Sequence, residues 1–554
     1  MTIRITVQLA GAILVCVAAV GCQAGVRAEA PVAAGPLADP IRLDSGLVSG
    51  AVSGTAGDVR VYKGIPFAAP PVGDLRWKPP QPVKPWDGVR ACTEFGPWCP
   101  QPPAIMGRET GKQSEDCLYL NVWAPANKTA GGLPVMVWLH GGGCTTGSGS
   151  SAFYNGEALA RQGVVLVTIN YRLGPLGYLA HPALSKESQR GVSGNYGLLD
   201  QIEALRWVRR NIAAFGGNRG CVTIFGESAG SMSVCRLMIS PLAAGLFHRA
   251  IAESGGAHGR NRHLRQTRDA LEPMETVGEQ LAAKLGCDKA PDAAAALRAK
   301  TPEELLAASN PAQGLFGPGI KFGPIVDGWA IPDDPAALFE AGKQARVPFL
   351  LGTNADEGTI FLRQLPVKRA EGYKLLVWTM FRDHAGEMLR LFPAASDDDV
   401  PGALNRLTTA MAFVSPARTL ARATEKAGQK AYLYHFTRVP PLYAKRNLGA
   451  LHAGEIPYVF DHVKGLPDFE DKDRDLAHAM SGCWVRFAAT GDPNGPGLPA
   501  GRRAGLPRWP AYAAASDEYM QFGDTVEVRS GLYKEACDLL DKIQAARGTA
   551  GVGL

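Results

Sequence analysis

Val222-Thr223-Ile224-Phe225-Gly226-Glu227-Ser228-Ala229-Gly230 runs from an apolar, β-branched segment straight into a glycine-serine-glycine pentapeptide, and a helix-like stretch, Ser231 to Ile239, follows. This order predicts a strand, a sharp turn and a helix, with Ser228 held on the turn above the sheet edge. Glycine suits positions 226 and 230 because a side chain at either would meet the strained turn backbone or the neighbouring strand. Short matches of this kind recur by chance, and the competing reading is a tight strand-to-helix connection with an incidental serine. Residues far away in the chain decide between the two.

A hydroxyl is a poor nucleophile near neutral pH, so a reactive Ser228 requires a histidine to take its proton and an acid to orient that histidine. Both follow in the chain. Glu357 stands in Leu350-Leu351-Gly352-Thr353-Asn354-Ala355-Asp356-Glu357-Gly358, where an apolar run ends in a polar, glycine-closed turn, and Asp356 beside it is the rival acid. His452, one of ten histidines, stands in Gly449-Ala450-Leu451-His452-Ala453-Gly454-Glu455-Ile456-Pro457, too rich in glycine and proline to be helix interior. Upstream, His140-Gly141-Gly142-Gly143 ends the apolar run Val135-Met136-Val137-Trp138-Leu139. Its glycines leave bare backbone N–H groups where a developing oxyanion would need donors, and losing one such donor typically costs about 3 kcal/mol of barrier. The alternative there is a flexible turn.

Further stretches complete a pattern: Tyr62-Lys63-Gly64-Ile65-Pro66-Phe67-Ala68 with Pro70-Pro71-Val72-Gly73, Ser114-Glu115-Asp116-Cys117-Leu118-Tyr119-Leu120-Asn121, Asn170-Tyr171-Arg172-Leu173-Gly174, Gly194-Asn195-Tyr196-Gly197-Leu198-Leu199-Asp200-Gln201, and Phe487-Ala488-Ala489-Thr490-Gly491-Asp492-Pro493-Asn494. With these the chain resembles the type-B carboxylesterases, the esterase, lipase and cholinesterase branch of the α/β-hydrolases, over nearly all of residues 41 to 525. The resemblance implies an α/β-hydrolase fold with a large, mostly parallel central sheet flanked by helices. It implies Ser228 as nucleophile, His452 as base and Glu357, in preference to Asp356, as third member. The N–H groups of Gly142, Gly143 and Ala229 would form the oxyanion hole, and Ser254 would be hydrogen-bonded near the triad. Cys99 and Cys117 match the cysteines that close the family's first loop, a bridge that would contribute about 3 kcal/mol in the chain-entropy treatment. The implied activity is hydrolysis of small to medium carboxylic esters without metal or organic cofactor. A lipase acting on longer acyl chains and a catalytically silent binding protein on the same scaffold are the alternatives.

Departures from the family pattern bear on substrate. Cys144 stands where an aromatic commonly follows the three glycines, which reshapes the pocket beside the oxyanion hole; it reads as a buried apolar thiol more readily than as an exposed, reactive one. Residues 100 to 116 contain no tryptophan, so the cation–π contact that holds choline esters is not expected. The cysteine count of eleven is odd, Cys287 has no second cysteine close by, and Cys92, Cys221, Cys235, Cys483 and Cys537 are too widely spaced for a metal site.

Arg4 precedes an apolar run from Val7 to Val20, the length of a signal-peptide core rather than of a spanning helix. Residues 1–30 are therefore expected to be an export signal, cleaved either before Cys22, which would carry a lipid anchor, or among the small residues 26–30. Either exit implies a secreted or periplasmic protein. A Pro- and Ala-rich linker over 31–40, a catalytic domain over 41–545 and a flexible tail over 546–554 complete the organisation. The helical segments at about 265–310 and 370–427 are expected to form a cap over the site. Hydrophobic residues at 46% and charged residues at 20% of 554 give ample core. The net charge of +6 is mild, and no basic and aromatic cluster points to nucleic acid. Glu470-Asp471-Lys472-Asp473-Arg474-Asp475 lacks calcium-loop spacing and reads as a solvated helix start.

Overall fold

Eleven strands share one mixed sheet in the computed structural model, which describes residues 32–547 apart from 55, 105–110, 258–260, 363–364, 465, 467 and 496–504. In chain order the strands are β1 (Ala51–Ser53), β2 (Val59–Pro66), β3 (Tyr119–Pro125), β4 (Leu133–Leu139), β5 (Val165–Ile169), β6 (Gly217–Glu227), β7 (Arg249–Glu253), β8 (Phe349–Asn354), β9 (Ala431–Phe436), β10 (Glu518–Phe522) and β11 (Val526–Ser530). Their spatial order is β1-β2-β3-β5-β4-β6-β7-β8-β9-β10-β11. Pairing is parallel from β5 through β10 and antiparallel at both margins.

The central strands are largely apolar because helices cover both faces. All seven residues of β4 are buried. Side chains still alternate between two cores: Val135, Val137 and Leu139 enter one cluster, while Met136 and Trp138 enter the other. Trp138 packs against Tyr154, Phe225 and Phe460 with ring centroids 4.8–5.0 Å apart.

The chain leaves β4 for β5 on one side and returns to β6 on the other. The carboxyl ends of β4 and β6 therefore flank a topological switch point, the crevice where open α/β sheets gather their functional groups. The register sets Leu139 beside Gly226, Glu227 beside Glu253, and Glu253 beside Gly352. His140 and Ser228 both emerge at this edge.

Helices α1 (Tyr196–Asn211) and α2 (Ala229–Ile239) lie under the sheet connections. Two helical insertions lie where the sequence places a cap. The first comprises α3 (Met274–Lys284), α4 (Ala293–Arg298) and α5 (Pro302–Ser309). The second runs through α6 (Ala370–Phe381), α7 (Ala385–Leu391) and α8 (Val400–Thr409), continues as a π-helical turn over Ala410–Val414, and ends in α9 (Ser415–Lys426). Met274 and Val277 pack with Cys144 and Ala229, and Phe413 packs on His452, so both insertions reach the switch point.

Two expectations need correction. Cys99 and Cys117 are buried side by side as free thiols rather than as a disulfide. A hydrogen bond with Cys99, and then burial, hold the Cys117 thiol well above the usual range, and Cys99 Sγ accepts from Leu173 N at 3.2 Å. The acidic run at 470–475 does start a helix, α10 (Asp471–Thr490), capped by Glu470, but it is not solvated throughout. Asp473 is fully buried, accepting from Arg438 Nε at 2.5 Å and Tyr458 Oη at 2.7 Å. The expected signal segment, Cys22 and the tail from 548 onward lie outside the described residues. Among the described residues no helix is long and apolar enough to cross a membrane.

Candidate active site

Ser228 sits between β6 and α2 with φ 56° and ψ −119°, a conformation that L residues adopt only when the surroundings over-determine it. Its N–H donates to Glu253 O at 2.9 Å, and its carbonyl accepts from Met232 N at 2.9 Å. The flanking glycines act as the sequence predicts. A Cβ at 226 would stand 2.5 Å from Leu139 O, and one at 230 would overlap the same carbonyl.

Leu139 leads into the glycine loop. Tyr171 Oη donates to His140 O at 2.7 Å, and the His140 ring stacks on Tyr171 at 4.3 Å. Burial pulls the His140 pKa down to about 4, so this histidine is neutral scaffold. Gly142 at φ 103° and Gly143 at φ 64° turn the loop beneath the serine, and Gly142 O accepts from Thr145 N and Thr146 N. Among the described residues the N–H groups of Gly142, Gly143 and Ala229 meet no protein acceptor. Three free donors beside a serine can accept a transient oxyanion.

His452 is 5% exposed, its ring wedged between Phe361 and Phe413 at 5.0 and 5.2 Å. Nδ1 pairs with Glu357 Oε2 at 2.6 Å, and Glu357 Oε1 accepts from Asn354 N at 2.7 Å. Asp356 points elsewhere. Its carboxylate accepts from Asn405 Nδ2 at 2.7 Å and Ala450 N at 2.8 Å, tying the turn after β8 to the loop that carries the histidine. Two adjacent acids thus divide the work: one meets the ring and the other holds its loop.

Nε2 of His452 lies 3.0 Å from Glu227 Oε1, and among the described residues no hydrogen bond joins it to Ser228 Oγ. Oε1 of Glu227 has no aligned hydrogen-bond donor, so the approach is close but poorly directed. Burial alone would lower the His452 pKa, but the carboxylates of Glu227 and Glu357 outweigh it and push it up to about 9. Four buried glutamates share this floor: Glu227, Glu253, Glu357 and Glu455. Burial, and then like charge, push Glu227 up to about 8 and Glu455 up to about 7, and hold Glu253 well above the carboxylate range. The cluster therefore retains protons at neutral pH instead of carrying four charges.

Ser254 approaches His452 and Glu357 at one remove. Its Oγ donates to Glu455 Oε1 at 3.3 Å, and Asn354 Nδ2 donates to Glu455 Oε2 at 2.5 Å and to Leu451 O at 2.8 Å. Cys144 is 4% exposed in an apolar cluster with Tyr178, Ala229 and Phe322, and burial pushes its thiol up to about 11. It is the inert buried thiol, not the reactive one. Among the described residues no group of three or more His, Cys, Asp or Glu side chains is arranged to hold a metal ion.

The model of the carboxylesterase family matches residues 38–540. The chain belongs to the carboxylesterase family. It is 41% identical over 496 residues to the fumonisin B1 esterase of Sphingopyxis macrogoltabida, covering 87% of each chain. It is 36% identical over 496 residues to the para-nitrobenzyl esterase of Bacillus subtilis (strain 168), covering 87% of this chain and 95% of that one. A solved PNB esterase structure superposes with a TM-score of 0.76 at 33% identity, over 90% of this chain and 98% of that one. The α/β-hydrolase architecture and the standing of this carboxylesterase as a carboxylic-ester hydrolase follow.

Sequence reasoning missed Glu227, Glu455 and Asn354. Glu227 occupies the middle of the glycine-serine pentapeptide, a position that any residue can fill in the motif, so only its distance to His452 singles it out. Glu455 left a faint signal, an acid three residues after the histidine in a loop otherwise apolar.

Proposed function

We propose that this carboxylesterase hydrolyses small to medium carboxylic esters by two-step acyl transfer with Ser228, His452 and Glu357 as its triad. The observation that carries the reading is the 2.6 Å contact of His452 Nδ1 with Glu357 beside a strained, turn-borne serine. Ser228 Oγ attacks the carbonyl carbon as His452 Nε2 takes its proton. The oxyanion rests on the N–H groups of Gly142, Gly143 and Ala229. The intermediate collapses as His452 protonates the departing alcohol, and water then repeats both steps on the acyl-enzyme. Relatives named for para-nitrobenzyl esters and for fumonisin B1 support an ester substrate. Ser228→Ala is expected to lower kcat for a 4-nitrobenzyl ester by about 10⁴ or more while leaving the unfolding midpoint within error. Unchanged turnover in that variant would refute the assignment.

The same proposal places the protein outside the cytoplasm, on the strength of Arg4 and the Val7–Val20 run. Mass determination of the mature N-terminus distinguishes an acylated Cys22 from cleavage within residues 26–30, and an intact Met1 would overturn export.

A further inference from the structure

Three cations gather on the Cys144 flank of the glycine loop. Arg236, about two turns beyond Ser228 on α2, is 3% exposed. Its Nη1 donates to Gly256 O at 2.7 Å and Met232 O at 3.2 Å, its Nη2 donates to Asn261 Oδ1 at 3.0 Å, and its buried Nε has no hydrogen-bond partner. Lys321 directly precedes Phe322, which packs with Cys144 and Ala229; a Cβ at Gly323 would lie 3.9 Å from Cys144 Sγ. Arg262 is carried to the same rim by backbone pairing. Leu264 N donates to Val326 O and Val326 N to Arg262 O, each at 2.9 Å, which lays residues 262–264 beside the segment that follows Lys321.

None of these cations is neutralised. Among the described residues none of the three has a carboxylate at ion-pair distance, and Nη1 of Arg262 donates only to Glu272 O, at 2.8 Å. The nearest acid acting on Arg236 is Asp334, which is engaged elsewhere. One oxygen accepts from Asn261 Nδ2 at 3.0 Å, and the other caps the helix Pro335–Glu340 through Ala336 N and Ala337 N. Lys321 is exposed, yet protein around its amine lowers its pKa; the nearby Cys144 thiol opposes that shift, and Arg236 and Arg262 add to it. Burial likewise lowers the pKa of Arg236 and of Arg262. Buried charges in proteins are ordinarily paired, so a buried, unpaired Arg236 behind two more unpaired cations that are half-buried or exposed points to an anion supplied by the ligand.

The direction of the reaction decides which part of the ligand carries it. His452 must reach the departing oxygen, so the alcohol lies on the flank of Phe361 and Phe413 that surrounds the imidazole. The acyl group takes the other flank, between Cys144, Phe322 and the cations.

We propose that the acyl side of this site accepts esters whose acyl group ends in a carboxylate, that is, half-esters of dicarboxylic acids, with Lys321 and Arg262 receiving the anion at the rim and Arg236 setting the positive field behind them. The proposal rests on ester hydrolysis at Ser228. It is tested by comparing kcat/KM for mono-4-nitrobenzyl glutarate with that for its neutral, isosteric carboxamide, 4-nitrobenzyl glutaramate. The carboxylate is expected to be preferred by about tenfold or more at low ionic strength, with the preference shrinking as salt is added because the rim charges are partly solvated. Lys321→Met combined with Arg262→Gln should bring the ratio close to one while leaving kcat/KM for the carboxamide within about threefold of its parent value. A parent ratio of one or less, with the carboxamide readily hydrolysed, overturns the inference and leaves the esterase reading standing. So does a ratio that the double variant does not move. Hydrolysis of neither ester, together with failure of an organophosphate to label Ser228, overturns the hydrolytic reading and this inference with it.

Discussion

Ser228 is held at φ 56° and ψ −119°, and a non-glycine residue in such a region stores about 1–3 kcal/mol. The strain presents Oγ at the sheet edge rather than stabilising the fold. Ser228→Gly and Ser228→Ala should therefore be equally inactive, yet the glycine variant should be more stable by about 1 kcal/mol or more in urea unfolding. Equal stabilities would remove the strain account. The neighbouring Glu227 governs a different property. His452 must be neutral to act as base, and its pKa stands at about 9 because carboxylates favour the imidazolium. In the parent enzyme kcat/KM should keep rising with pH above 7, and Glu227→Gln should move the midpoint of that rise to lower pH. A midpoint that stays in place or moves up would exclude Glu227 as a source of the shift. The raised His452 pKa, to which Glu227 and Glu357 both contribute, adds stability that is fully present below the unfolded histidine pKa of 6.5 and is lost as pH rises through about 9. At this scale the sequence is legible where chemistry restricts residue type. Serine, histidine and a following acid can be named because few side chains perform those roles. It is silent between Asp356 and Glu357, since neighbours on one turn differ only in the direction each points.

At the scale of elements, the close approach of α2 to β4 sets the site's dimensions. Gly230 lies so near Leu139 O that any side chain would displace backbone, and backbone in the middle of a sheet cannot yield cheaply. Gly230→Ala is expected to cost about 1–3 kcal/mol in urea unfolding. It should also reduce kcat more than it raises KM, because it shifts Ala229 N away from the glycine loop. A variant with parent stability and kcat would show that α2 can slide. The central strands were legible in part, because parallel strands buried on both faces are largely apolar and end in polar turns: Val135 to Leu139 lies within β4, and Val222 to Phe225 within β6, which starts five residues earlier at Gly217. The relation of Cys99 to Cys117 was not. Sequence places the two thiols together but carries no information on whether the sulfurs bond or merely share a proton.

Across the whole molecule, the sheet has a core on each face, and the second helical insertion adds a third, sealed by the last helix, α11 (Lys534–Arg547). Ala536, Leu539, Leu540 and Ile543 of α11 pack with Tyr373, Val377, Phe381 and Met388 of the insertion. This long-range docking was invisible in the sequence, where nothing links residues 534–547 to the insertion. It matters because the insertion runs on through α8 to Phe413, one of the two rings that hold His452. Leu540 is 5% exposed, so Leu540→Ala should cost about 2–5 kcal/mol through lost burial and the cavity left behind. The loss falls first on the insertion, whose cluster is separate from the two sheet cores. Limited proteolysis should accordingly cut the variant within residues 370–426 at temperatures where the sheet remains folded, and activity should fade in step with that cleavage. Global unfolding without prior nicking of this segment would show instead that cap and sheet melt as one cooperative unit.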